Sequence, residues 1–362
     1  MKRRKFLQGA AAGGVAAAAA TVSAPAISQG IKQLKMVTAW PKNFPGLGTG
    51  AERFAQRINT MSGGSLEVKV YAGGELVPPF ESFNAVRDGK AEMSHSASYY
   101  WQGHSPAFNF FTAVPFGMNG AEHYAWMLWG DGMKLWTELC DQFNIVPFMR
   151  ASTGVQMGGW YRKEMNTMDD FKGLKFRMPG LGGEVLRRLG ATVVNLPGGE
   201  IFPALQAGTI DGTEWVGPWN DLAFGFYKVA PFYYWPGFHE ASTTGEVLVN
   251  KKVWQGLSKQ QQEIIAVAVQ AESTLEFAEF NYKSADALET LLNKHNVKLR
   301  KYSDDMLKKM GEAAIEVVAE VGNRDPLTKR VYASFMAARK KAIGWSALGE
   351  QGFLNARSLL KS

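Results

Sequence analysis

From Ser258 to Lys294 the chain contains neither glycine nor proline, although it carries 39 glycines and 15 prolines overall. Ser258 is a good N-cap, and Ile264, Val267, Leu275, Ala278, Ala285, Leu288 and Leu292 keep helical spacing behind it. At 1.5 Å per residue, roughly 35 residues make a helix of about 52 Å. That exceeds one lobe of a small domain, so the helix is expected to run across two lobes as a spine.

The segments upstream read as an α/β fold. A strand-like run from Leu34 to Ala39 ends at Trp40-Pro41. A helical segment from Gly50 to about Ser62 then puts Phe54, Ile58 and Met61 on one face before Gly63-Gly64 stops it, and Leu66 to Tyr71 alternates at period two. Strand, helix and strand in that order open an α/β lobe.

A weak internal repeat points to a second lobe. Phe83-Asn84-Ala85-Val86-Arg87-Asp88-Gly89-Lys90-Ala91-Glu92 matches Phe202-Pro203-Ala204-Leu205-Gln206-Ala207-Gly208-Thr209-Ile210-Asp211, about 120 residues later. Each copy predicts a short helix that ends at the glycine and turns into a strand. Aromatic residues follow each: Tyr99-Tyr100-Trp101 in the first, Trp215 and Trp219 in the second. Two such units imply two lobes whose strand ends face a shared crevice, where open α/β sheets bind ligands.

The expected division is 29–150 with 236–258 as lobe I, 151–235 with 295–320 as lobe II, 259–294 as the spine, and 321–362 as a helical tail. Ser303 and Asp325-Pro326 open the last helices. The tail has aromatic residues to bury and no evident place in either lobe.

Residues 1–28 read as an export signal. Lys2, Arg3, Arg4 and Lys5 precede an Ala/Gly-rich run and small residues around Ala24-Pro25-Ala26; the Arg pair, followed by Phe6-Leu7, favours the twin-arginine route. Its apolar run is shorter than the roughly 20 residues a span needs. Removal takes four basic residues and no acid, so the formal charge falls from +7 to +3. The remainder has no long basic run, which argues against nucleic-acid binding. With Cys140 alone, no intrachain disulfide can form in an oxidising compartment.

An enzyme loaded with a cofactor before export is the first reading to test. The five histidines are scattered and there is no CxxC, which argues against a preformed zinc or iron–sulfur site. Gly180-Leu181-Gly182-Gly183 and Gly198-Gly199 are read as lacking the strand–turn–helix context and partner residues of nucleotide loops. Cys140 reads as a buried thiol.

What remains is a set of polar residues at strand ends. Arg177 closes the run Gly173 to Pro179, where its planar fork suits a carboxylate. Glu214 and Glu240 stand among large apolar residues, where a bare carboxylate is costly without a cation. Gln156 offers an amide, and Tyr100 and Trp215 are candidate cleft walls.

The combination resembles the extracytoplasmic solute-binding receptors of TRAP transporters, the DctP-like family. The residues carrying the likeness are Trp40, FNAVRDGKAEM (83–93), GLKFRMPG (173–180), FPALQAGTIDGTEWVGPWND (202–221) and EVLVNKKVWQGLS (246–258). The likeness extends over nearly all of the mature chain and is nearest to the subgroup that binds 2-oxoacids or small hydroxyacids with a cation. It implies a two-lobe periplasmic-binding-protein (Venus-flytrap) α/β fold without catalysis, with Arg177 as carboxylate anchor. It also implies a cation site of Gln156, Glu214, the Trp215 carbonyl and Glu240, with Tyr100 and Asn220 nearby; such oxygen donors suit Na⁺ or Ca²⁺. A periplasmic location, a membrane permease partner and a homodimer exchanging C-terminal helices follow from the same likeness. The alternative is a twin-arginine-exported periplasmic enzyme acting on a carboxylate.

Overall fold

Alternating apolar residues in the first segments build one sheet, and the chain leaves it before it is complete. The computed structural model describes residues 30–360, so the export segment lies outside the described residues. Strands β1 (Lys32–Thr38), β2 (Leu66–Tyr71), β3 (Met93–Ser96) and β4 (Ile145–Ser152) enter the first sheet. The chain then crosses to the second sheet and lays down β5 (Gly159–Tyr161), β6 (Lys175–Arg177), β7 (Thr192–Val194), β8 (Gly212–Thr213) and β9 (Phe232–Trp235). It returns as β10 (Thr244–Asn250), and β11 (Lys298–Lys301) later joins the second sheet beside β9.

The two sheets share one plan. The first has the order β2-β1-β3-β10-β4, with β1 parallel to both neighbours and β10 antiparallel to β3 and β4. The second reads β7-β6-β8-β5-β9-β11, with β6 parallel to both neighbours and β5 antiparallel to β8 and β9.

The internal repeat lies at equivalent places. Gly89 and Gly208 both have φ +73°, the left-handed conformation that ends a helix with little strain only at glycine, and each leads into β3 or β8. A second pair was not read from the sequence. Pro45-Gly46-Leu47-Gly48 and Pro179-Gly180-Leu181-Gly182 both open helices, with Gly46 at φ +70° and Gly180 at +60°.

The spine helix runs Lys259–His295, 37 residues or about 55 Å. Ser258 and Gln261 cap each other's backbone at its start, and Asn296 in the left-handed conformation ends it. It packs against β4 and the helix Leu47–Met61 on one side and the helix Pro218–Phe224 on the other. The buried face differs from the one expected. Val267, Leu275, Ala278 and Ala285 are exposed, whereas Ile265, Ala268, Val269, Phe280, Ala287 and Leu291 are buried together with Glu272 and Glu276. The acids are paired there: Glu272 with Arg53 (2.8 Å) and Arg57 (2.9 Å), Glu276 with Arg150 (2.7 Å).

Two further expectations need correction. The tail does find a place: in the helix Pro326–Leu348, Val331 and Phe335 are buried, Phe335 packs on Phe110 and Trp126, and Trp126 donates to Ser334 at 3.0 Å. At the end of that helix and beyond it, Trp345, Leu348, Phe353 and Leu359 stand exposed. The glycine-rich stretches do sit in strand–turn–helix units, after β6 and β7. Their glycines serve packing: a Cβ on Gly182 would lie 2.6 Å from the His239 Cβ, and one on Gly198 2.7 Å from the Trp215 ring. Cys140 is buried, and burial holds its thiol well above its ordinary pKa. No helix among the described residues is long and apolar enough to cross a membrane.

Candidate functional site

Strand ends and crossing segments bring the polar residues together. Arg177 is the last residue of β6, between β7 and β8, and is 1% exposed. Its Nε donates to the Leu196 carbonyl at 3.1 Å, and Nη1 donates to the Glu214 carbonyl at 3.0 Å and also pairs with the Glu214 carboxylate. Nη2 reaches the Tyr100 hydroxyl of the opposite lobe at 3.5 Å, and the guanidinium lies 5.1 Å from the Trp215 ring centre. Burial opposes the charge of Arg177, but Glu214 and the two tyrosines outweigh it and raise its pKa. The side chain is thus a held cation with one edge directed across the cleft.

Glu214 follows β8, and its second oxygen lies 3.2 Å from Nε2 of His239. His239 and Glu240 belong to the crossing segment between β9 and β10; all three side chains are buried. One carboxylate oxygen from each Glu and a His239 ring nitrogen lie within 4.8 Å of one another. Burial, and then the neighbouring Glu214, hold the Glu240 carboxyl above the ordinary carboxylate range, with His239 and Thr243 pulling the other way. Burial opposes a charged His239, and Glu214 with Glu240 overcomes it, so its pKa is raised.

Gln156, on the crossing between β4 and β5, is oriented by hydroxyl groups. Its Nε2 donates to Thr153 at 3.2 Å and to Thr243. Thr243 donates onward to Glu240, and Thr153 donates to the Gly154 carbonyl at 3.1 Å. Both hydroxyl protons are thereby used, which points the amide nitrogen at the threonines. The Oε1 of Gln156 is left buried without a partner among the described residues. Amide and carboxylate oxygens are the donor types that hard cations take.

A small cavity of about 20 Å³ lies between the lobes, walled by Trp40, Leu47, Ala97, Tyr99, Tyr100 and Ala151 from one side and Gln156, Trp215 and Val216 from the other. Trp40 and Trp215 meet edge to face at 6.0 Å, and both indole nitrogens are buried without a partner among the described residues. Asn220 spans the lobes: its amide donates to the Pro45 carbonyl at 3.0 Å, while its Oδ1 has no partner among the described residues. The neighbouring Asp221 anchors the loop that carries Glu214 and Trp215. It accepts from Trp160 (2.9 Å), Tyr233 (2.7 Å) and the Val216 amide (3.3 Å).

The family model for bacterial extracellular solute-binding proteins, family 7, matches residues 36–325. The chain belongs to that family, the DctP-type receptors of TRAP transporters. It is 38% identical over 363 residues to a monocarboxylate 2-oxoacid-binding periplasmic protein of Nostoc, covering 99% of both chains. Among solved structures, a TRAP periplasmic solute-binding protein of Pseudoalteromonas atlantica with bound sodium and pyruvate superposes with a TM-score of 0.87. It is 37% identical, over 90% of this chain and 98% of that one. A TRAP solute-binding protein of Bordetella bronchiseptica, a mixed-occupancy dimer with calcium and picolinate in one site, gives a TM-score of 0.89 at 33% identity, over 91% of this chain and 98% of that one. The receptor is therefore a two-lobe solute-binding protein, as the resemblance implied.

Of the residues singled out in the sequence, Arg177 contacts Glu214, Tyr100 and Trp215, and Glu240 and Gln156 join through Thr243. His239, Thr153, Thr243 and Asp221 were missed. Adjacency to Glu240 was the one local signal for His239.

Proposed function

We propose that this receptor captures a small carboxylate, a 2-oxoacid such as pyruvate or a 2-hydroxyacid, together with a bound Na⁺ or Ca²⁺. It hands the acid to TRAP membrane permease subunits from the periplasm, after export by the twin-arginine route. The observation that carries the reading is Arg177: a buried, immobilised guanidinium, one of whose nitrogens faces the opposite lobe beside an aromatic-walled cavity.

Arg177 would bind the substrate carboxylate, with Tyr100, Trp215, Asn220 and Gln156 around it. Gln156 Oε1, Glu214, the Trp215 carbonyl and Glu240 would hold the cation, which supplies positive charge to offset the two acids and the bound acid. Closure over the ligand is a shift in population set by tighter binding to the closed form. The exposed Trp345, Leu348, Phe353 and Leu359 of the tail support a homodimer, in which a second copy covers them.

The test is a thermal-shift series on the exported form with 2-oxoacids, 2-hydroxyacids and dicarboxylates, before and after cations are stripped. Stability should rise as RT ln(1 + [L]/Kd) with a short 2-oxoacid, and the rise should shrink without cation. No shift with any carboxylate would sink the reading, and turnover of the acid would favour the enzyme alternative.

A further inference from the structure

Glu214 occupies an unusual place: one carboxylate oxygen is held by Arg177, the other lies 3.2 Å from His239 Nε2. The imidazole is 1% exposed, and Glu214 is its only hydrogen-bond partner among the described residues, since Nδ1 has none. The ring is also clamped. Phe238 meets it edge-on at 5.6 Å, and the helix Gly180–Arg188 approaches so closely that Gly182 leaves no room for a Cβ beside the His239 Cβ. Packing thus fixes the ring, and the ring's one polar contact fixes Glu214.

We propose that His239 is a positioning residue: by donating its Nε2–H to Glu214, it holds that carboxylate where the Arg177 anchor and the cation-binding oxygens of Gln156 and Glu240 converge. This rests on the cation site of the preceding section. The consequence is selective. Arg177 is fixed independently by the Leu196 and Glu214 carbonyls, so the substrate anchor survives the loss of His239. The oxygen that His239 orients is the one free of Arg177, so its direction matters chiefly to a bound cation. Partners that orient metal-binding carboxylates typically change affinity about 10–100-fold when removed.

The experiment is calorimetric titration of the full-length exported protein with calcium chloride, with and without pyruvate, for wild type, His239→Leu and His239→Gln. Calcium affinity should fall about 10–100-fold in His239→Leu and recover in His239→Gln, whose amide can still donate. Pyruvate affinity at saturating calcium should stay unchanged in both. Wild-type calcium affinity in His239→Leu would overturn the proposal and leave the proposed function standing. A His239→Gln as weak as His239→Leu would also overturn it, because the effect would then be packing. Wild type that binds calcium in neither condition would remove the cation site itself. Long-range ¹H–¹⁵N spectra of the wild-type imidazole give a check that needs no variant: Nε2 must carry a proton, and a bare Nε2 refutes the donation.

Discussion

Where β3 ends, lobe I presents Ala97, Tyr99 and Tyr100; where its counterpart β8 ends, lobe II presents Glu214 and Trp215. Likewise β1 leads to Trp40, whereas β6 ends on Arg177. The scaffold is the same on both sides, down to the paired left-handed glycines, so the difference lies in the side chains placed on it. The charged groups of the cleft sit on lobe II and the crossing segments, and lobe I faces them with rings and a hydroxyl. Lobe I keeps its charges elsewhere, in Arg150, which pairs with Glu276 of the spine helix, both fully buried, and in Glu246, which accepts from Trp101 at 2.5 Å and from Ser98. Under the function proposed above, the acid docks on lobe II, and lobe I closes over it.

The largest expected effect breaks the charged side. Arg177→Ala leaves the buried Glu214 carboxylate with His239 as its one remaining side-chain partner among the described residues, which costs about 3–5 kcal/mol of stability and abolishes the pyruvate-induced shift. Urea unfolding and calorimetry read both effects, and binding retained in a folded Arg177→Ala protein would contradict the assignment.

On the lobe I side, burial drives the Glu246 carboxyl from 4.5 to about 7 against the donors Ser98 and Trp101. The folded state therefore holds its proton more tightly than the unfolded chain, and stability falls as pH rises from about 4.5 through 7. Glu246→Gln has no proton to lose, so its stability should decline less over that window, by on the order of 3 kcal/mol at pH 8. Urea midpoints between pH 5 and 8 measure the difference; parallel curves would argue against it.

Gly50→Ala sharpens the contrast further. A Cβ there would lie 2.5 Å from a Glu276 oxygen and 2.6 Å from Arg150, so it should cost about 1–3 kcal/mol by crowding the pair. Pyruvate affinity should be unaffected, and a parallel loss of affinity would show that the buried pair communicates with the cleft. The smallest effect is Tyr100→Phe. Removing the 3.5 Å contact to Arg177 should weaken pyruvate by about 1 kcal/mol, roughly fivefold, without altering calcium affinity.

Much of this architecture was legible in the sequence because local chemistry sets it. Ser258, Ser303 and Asp325 cap the helices they were expected to cap, and β2 spans the alternating run Leu66–Tyr71. The spine's buried face was misread because it carries Glu272 and Glu276, charges that distant arginines neutralise, and apolar periodicity cannot register an ion pair. Arg177, Glu214 and Gln156 could be named one at a time from residue type and neighbours. His239 could not, since its partner Glu214 lies 25 residues away and only the return crossing brings them together. Thr153 and Thr243 each lie three residues from their partners Gln156 and Glu240, but the contact that joins the two pairs, Gln156 to Thr243, spans 87 residues.

The interruption of the first sheet by the second also fixes an order of assembly during synthesis. Strands β5 to β9 are contiguous, from Gly159 to Trp235, so most of lobe II is complete in the nascent chain as soon as that stretch is made. Lobe I, begun first, must wait: β3 and β4 pair only through β10, and until Asn250 exists both present bare edges. Open edges invite foreign strands. The portion of the chain that is made earliest is therefore the portion most in need of protection, and it becomes safe only after its partner lobe has already formed.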